Sequence, residues 1–353
     1  MFDIFPLTIF PEGSLATSVI TTVWVGVLVV VFFNLRLGWL LAGLVVPGYL
    51  APLIIAKPWA ASVVMFEGVI TYLLVWLCSE FFSRWGRWSS VFGRDRFFAL
   101  LLVSVAVRIV MDGWLLPVFG ETINNQFGIQ FDYRNNLHSF GLIIVALVAN
   151  QFWKSGFIYG LVPQLVTIGV TCLLIRFGLM ELTNFNLNSL SYMYEDSATS
   201  MLASPKAYII LITTAFLASR MNHHYGWDFN GILIPALFAM QWYQPTKILT
   251  SFVEAFVILG VSILVLKMPM FKQITMEGGR KLLLFFNVGF AYKIALGYFL
   301  IWWMPETKVT DFFGFGYLLA TLIAIKMHDK EIIARLSRAL LQTSLTAVVF
   351  ASV

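Results

Sequence analysis

The chain has 353 residues, of which 59% are hydrophobic and only 12% charged, with a net charge of +5 and a mean hydropathy of +0.85. Soluble domains carry about 25% charged residues, so the composition excludes a soluble globular protein. Long apolar runs recur from end to end, and the chain reads as an all-α integral membrane protein with no room for a sizeable soluble domain.

Residues 1–15 carry Asp3 and Glu12 and no basic residue. Without the basic flank and cleavage site of a secretory signal, the first apolar span is expected to stay in the protein. That span covers about Ala16–Phe33 and ends at Asn34-Leu35-Arg36. Span two, about Gly38–Ala56, contains the run from Ala42 to Ala51, apolar enough for lipid yet carrying Gly43, Pro47 and Gly48. Proline removes a backbone donor and clashes with the preceding turn, so a break or kink is expected at the centre. Inside hydrocarbon such a break is tolerated only where protein or a wet cavity satisfies the freed backbone. Lys57-Pro58-Trp59 turns the chain into span three, which ends near Phe82 before a basic loop with Arg84, Arg87, Arg94 and Arg96. Span four covers Phe97 to about Val118, and a polar segment follows with Glu121, Asn124, Asn125, Asp132 and Arg134. Spans five and six form a close pair, Phe140–Phe152 and Gly156–Ile175, joined at Lys154.

A polar, acidic linker (Glu181, Glu195, Asp196) divides the chain into a first unit, 1–177, a linker, 178–206, and a second unit, 207–353. The second unit offers spans at about Ala207–Ser219, Gly226–Tyr243, Thr246–Leu266, Leu282–Met304, Phe313–Ile325 and Ile332–Phe350. A basic loop with Lys267, Lys272, Arg280 and Lys281 stands where the first unit has its own. The expectation is 10–12 membrane segments, about six per unit. Spans five, seven and eleven fall short of the roughly 20 residues of a full crossing, so each close pair could instead be a re-entrant hairpin. Cytoplasmic loops collect Lys and Arg. Placing both basic loops inside puts fifteen of the 23 Lys and Arg inside and six outside, with Arg108 and Lys293 within spans. The linker is then periplasmic.

The two units match in detail. Gly38-Trp39, Gly43, Pro47 and Ala51 correspond to Gly226-Trp227, Gly231, Pro235 and Ala239 at one offset of 188. Glu67 corresponds to Glu254, Arg108 to Lys293, and Gly141 to Gly316. Ordered Gly, Pro and charged matches point to duplication, and an even number of segments per unit makes the repeats parallel, related by an axis along the membrane normal.

Charged groups deep in a span are functional candidates. Arg108 sits halfway along span four with Asp112 one turn on, where the two can meet on one face. Glu67 and Glu254 lie near the middle of spans three and nine. Lys293 has Gly297 where Asp112 would be, so Glu254 is its natural partner. Two readings stand: ion bridges that lock adjacent helices, or the lining of a polar path. The broken segments likewise have two readings. A half-helix N-terminus presents free amides to a carboxylate, or the glycines (Gly43, Gly48, Gly231) beside Pro47 and Pro235 permit close helix packing. Cys78 and Cys172 read as buried small hydrophobes, and His223-His224 as a polar interfacial turn. No residue set suggests a metal or cofactor, no catalytic motif occurs, and nucleic-acid binding has no support.

The run Arg36-Leu-Gly-Trp-Leu-Leu-Ala-Gly-Leu-Val-Val-Pro-Gly-Tyr-Leu-Ala51 resembles the membrane subunit of poly-γ-glutamate synthesis complexes, the PgsC/CapC family. Ile70-Thr71-Tyr72, Gly93-Arg94 with Phe97, Arg108 with Asp112, and Leu147-Val148-Ala149-Asn150 extend the likeness over residues 15–177, and the second unit resembles the same pattern more faintly. Family members carry an acidic residue before the Arg and a Pro before Ala-Gly, where this chain has Leu35 and Leu41; Glu67 is also a departure. The resemblance implies a non-catalytic subunit in the bacterial inner membrane. Its partners would be an ATP-dependent ligase that adds glutamate and an anchored export subunit, and oligomers are possible. On that reading Arg108 and Lys293 would offer positive charge to polymer carboxylates. The alternatives are a secondary transporter for a small carboxylate, coupled through the Glu67/Arg108 and Glu254/Lys293 pairs, and a structural scaffold.

Overall fold

The structure, a computed structural model, describes residues 6–41, 43–81, 93–127, 141–187, 205–225, 231–271, 274–304, 306, 308–314, 316–331 and 333–352. Arg84, Arg87, Asp132, Arg134, Glu195, Asp196, Lys272, Gly226 and Trp227 lie outside them, as does Ala42. All named elements among the described residues are helical. Among the described residues seven helices are long and apolar enough to cross a membrane, which makes this a multi-pass membrane protein.

Helix α1 (Val19–Leu37) begins at Ser18, whose hydroxyl accepts the Ile20 amide, and stops at Gly38 with φ +69°. Trp39 then folds back to stack on Phe33, with ring centroids 4.8 Å apart. The next helix, α2 (Val46–Ala56), has 11 residues with Pro47 in its first turn, a length of about 16 Å at 1.5 Å per residue. Span two is therefore not a kinked crossing. Its first part is non-helical and its second a half-length helix, because proline needs no amide partner in a first turn. Helix α3 (Pro58–Trp76) ends in a π turn, Leu77–Phe81, where Cys78 is exposed rather than buried. Helix α4 (Gly93–Val110) passes through a π turn, Met111–Leu115, and continues over Leu116–Phe127, so Glu121, Asn124 and Asn125 lie on helix rather than in a loop.

The close pair is α5 (Gly141–Ser155) and α6 (Phe157–Leu173). Helix α6 is prolonged by a π turn, Leu174–Leu179, and a last turn, Met180–Leu182. Phe157–Leu182 is long enough to cross a membrane by length and composition, whereas α5 has 15 residues. The linker read over residues 178–206 thus begins in helix, which runs to Leu182. Its first residues are tied to the amino-terminal segment: Leu7 bridges Thr183, and the Asn184 side chain bonds both the amide and the carbonyl of Phe10.

The second half supplies α7 (Pro205–Tyr225), α8 (Leu233–Gln241), α9 (Pro245–Leu266), α10 (Gly278–Trp303), α11 (Gly316–Lys330) and α12 (Ile333–Ser352). Each helix of the first half thus has a counterpart six places on, and the packing repeats with it. In the first half α1 packs on α2 and α6, α2 on α3 and α6, α3 on α4 and α5, and α5 on α4 and α6; the second half repeats every one of these pairings among α7–α12. The halves meet reciprocally, α1 against α10 and α7 against α4, which is the contact pattern a two-fold axis produces. Along α1 and α10 the chains run antiparallel. Asn34 lies against Gly279, Trp24 stacks on Phe290 at 4.3 Å and donates to Asn287 at 2.8 Å, and Pro11 lies against Gly297.

Candidate functional site

In the first half three charged side chains converge. Glu67 on α3 and Arg108 on α4 are buried, and Asp112 sits in the π turn that follows α4. Such π turns are frequent at functional sites. Gly68 lets α5 approach beside Glu67, since a Cβ there would lie 2.5 Å from Val148 Cγ1. Arg108 donates from Nη1 to Glu67 Oε2 and from Nε to Asp112 Oδ2, both at 2.9 Å. The Asp112 side chain is 40% exposed, flanked by exposed Ile109, Val110 and Trp114. Glu67 Oε1, Arg108 Nη2 and Thr71 Oγ1 are buried with no hydrogen-bond partner among the described residues. Tyr208, on α7 of the other half, lies within electrostatic range of all three charged groups, with its hydroxyl beside the Arg108 guanidinium.

The second half builds the corresponding cluster differently. Lys293 Nζ on α10 lies 2.7 Å from Glu254 Oε1 and 2.9 Å from Oε2, and the hydrogen bond runs to Oε2. The shorter contact is off the hydrogen-bond direction and acts through charge alone. Oε2 also accepts the Gly314 amide at 2.9 Å, and Nζ sits 4.6 Å above the centre of the Phe313 ring. Glycine is needed at 314, where a Cβ would fall 2.8 Å from Ser251 Cα. Lys247 clamps this loop by donating to the carbonyls of Thr310, Asp311 and Phe313 at 2.6, 3.1 and 3.3 Å. In sequence Lys247 is one of the outside positive charges, and nothing in its neighbourhood marks it as a carbonyl clamp. At the position of Asp112, Gly297 lies directly under Pro11.

Two carboxylates thus face one guanidinium, and one carboxylate faces one ammonium. By formal charge, neither cluster holds surplus positive charge.

The broken segments resolve by residue. Gly43 and Gly231 both adopt positive φ, +70° and +82°, and Pro235 occupies the first turn of α8 as Pro47 does that of α2. Gly48 serves close packing: a Cβ on it would lie 2.3 Å from Val23 Cα, and one on Gly26 would lie 2.4 Å from Gly48 N. Thr22 Oγ1 donates to the Gly48 carbonyl at 2.9 Å across this contact. A small cavity of about 10 Å³ beside Gly43, bordered by Trp39, Gln151 and Thr167, is near the smallest space that holds a water. Cys172 contacts the Ala51 carbonyl through Sγ at 3.7 Å. His223 and His224 fall in the last turn of α7. Among the described residues no group of His, Cys, Asp and Glu could hold a metal ion.

The family model for capsule biosynthesis CapC matches twice, over residues 25–161 and 213–336. The chain belongs to the CapC capsule-biosynthesis family. The capsule biosynthesis protein CapC of Bacillus anthracis is 33% identical over 149 residues, covering 42% of this chain and 83% of that protein. The PGA biosynthesis protein CapC of Bacillus subtilis (strain 168) is 30% identical over 151 residues, again covering 42% of this chain and 83% of that protein. These CapC proteins thus align along most of their own length with less than half of this chain, while the family model finds two CapC units in it. No solved structure matches.

Proposed function

We propose that this chain is the membrane subunit of a poly-γ-glutamate-type capsule synthesis complex in the bacterial inner membrane. In this reading it anchors a cytoplasmic ATP-dependent amide ligase and assists passage of the anionic polymer, working beside an anchored export subunit. The ligase, not this chain, carries the nucleotide chemistry. Two CapC units lie side by side, with the stretch between them on the outer side and the unit boundary after Leu182.

The observation that supports this most directly is a basic rim at one end of the helices. Arg36 and Lys154 lie in the last turns of α1 and α5, Lys326 and Lys330 in the last part of α11, Arg280 and Lys281 at the start of α10, and Arg335 and Arg338 at the start of α12. Lys281 pairs with Asp329, which brings the ends of α10 and α11 together. A concentrated positive rim steers and holds a soluble partner of opposite charge.

The test is purification of the tagged protein from its native membrane in mild detergent, with identification of what accompanies it. An ATP-dependent ligase is expected, released as salt is raised, together with loss of a glutamate polymer when the protein is deleted. A protein found repeatedly alone, whose deletion leaves glutamate polymers unchanged, would sink the reading. Gradient-driven uptake of a small carboxylate by liposomes holding only this chain would favour the transporter instead.

A further inference from the structure

We propose that segment 308–314, between α10 and α11, forms a binding site for a monovalent cation, and that the ammonium of Lys247 is its built-in occupant. The assignment rests on local geometry and does not depend on what the complex makes.

The site is made of backbone. Val309–Phe312 is a short 3-10 helix, and the last carbonyls of a helix lack partners within it. The carbonyls of Thr310, Asp311 and Phe313 converge on one point, where Lys247 Nζ sits at 2.6, 3.1 and 3.3 Å. Their position is fixed by more than Lys247. Val309 and Phe313 are buried, and the Gly314 amide donates to Glu254 Oε2 at 2.9 Å. Converging carbonyls replace the hydration shell of a monovalent cation, and an ammonium is close in size to K+. Asp311 and Phe312 are exposed, so water can complete the shell of a free ion.

The charges around Lys247 point the same way. Asp311, Lys293 and Glu254 all lie within electrostatic range of it, and with Lys247 they make two cations against two carboxylates. Without the Lys247 ammonium this group carries one surplus negative charge, beside three carbonyl oxygens aimed at one point. An anion would be repelled there, and a neutral donor would answer the carbonyls but not the charge. A small cation answers both. Pro58 matches Pro245, so Ala60 stands where Lys247 does and the built-in cation belongs to the second half. A free ion would occupy the site only as its concentration allows. A tethered one holds the segment over Lys293 whatever the surrounding salt.

The experiment uses the full chain in detergent, in chloride salts of K+, ammonium or choline at equal ionic strength, so that screening is constant. Thermal unfolding of the wild type should be the same in all three. Lys247→Met should unfold several degrees lower in choline. It should regain about half or more of that loss in K+ or ammonium, along a curve that saturates as binding to the folded state requires. Lys247→Gln, which keeps a neutral donor, is the milder variant and should show the same dependence. Gly48→Ala, weakened by packing alone, should show none. Identical melting of the Lys247 variants in all three salts overturns the cation site and leaves Lys247 a hydrogen-bond donor. An equal gain in the wild type or in Gly48→Ala overturns it as well, because the ions then act on the whole protein. Failure of both Lys247 variants to fold in any of the salts also overturns it, since a free cation then does not replace the ammonium.

Discussion

Lys293 on α10 meets Glu254 on α9 in the place where Arg108 on α4 meets Glu67 on α3. The contact survives the change of cation because the helix pairing beneath it is the same in both halves. A buried pair is nearly neutral when replaced whole and costly when halved. Lys293→Met should therefore destabilise the protein by about 3–5 kcal/mol. Adding Glu254→Met should recover most of that loss, a non-additivity readable from thermal unfolding in detergent for the two single variants and the double.

Gly26 and Gly48 set the distance between α1 and α2. Backbone, not flexible side chain, stands 2.3–2.6 Å from either new Cβ, so neither helix can give way locally. Gly48→Ala should cost about 1–3 kcal/mol, the range for overpacking. Gly169→Ala on α6, where no described residue lies within 4 Å, should not lower the melting temperature, because alanine is the better helix former.

The two positive-φ glycines should respond unequally. An alanine at either one bears about 1–2 kcal/mol of left-handed backbone strain. At Gly43 the new methyl would also sit 2.6 Å from Gln151 Oε1, while no described residue comes within 4 Å of one at Gly231. Gly43→Ala should thus lower stability more than Gly231→Ala; equal effects would contradict the packing of Gln151 on the first break.

A cross-link can test the seam between halves. A Cβ on Gly279 would lie 2.7 Å from Asn34 Oδ1, close enough for paired cysteines to reach disulfide range. With Cys78→Ser and Cys172→Ser as background, Asn34→Cys with Gly279→Cys should close a bond on mild oxidation. Asn34→Cys with Gly297→Cys should not, because α1 and α10 run antiparallel and Gly297 lies beside Pro11.

Much of this arrangement could be read before any coordinates, and the reasons are local. The Gly and Pro matches at offset 188 located both breaks, because positive φ and first-turn prolines leave few alternatives in sequence. The four-residue spacing of Arg108 and Asp112 gave their contact, and the missing acid at Gly297 pointed Lys293 to Glu254. What escaped was set by packing. Hydropathy fades at helix ends, so the continuation of α6 to Leu182 and of α4 to Phe127 was invisible. The Gly314 amide, the Lys247 clamp and the α1–α10 seam join residues too far apart for periodicity to connect. The role of Gly48 depended on which helix lay across it.

The reciprocal α1–α10 and α7–α4 contacts also bear on stoichiometry. Two separately made units with this interface would assemble in three combinations, two of them with matching clusters. Covalent joining allows only one, so every particle carries one arginine-centred and one lysine-centred cluster. Any partner that engages both units therefore meets the same fixed polarity, and mutations can accumulate in one cluster without being copied into the other.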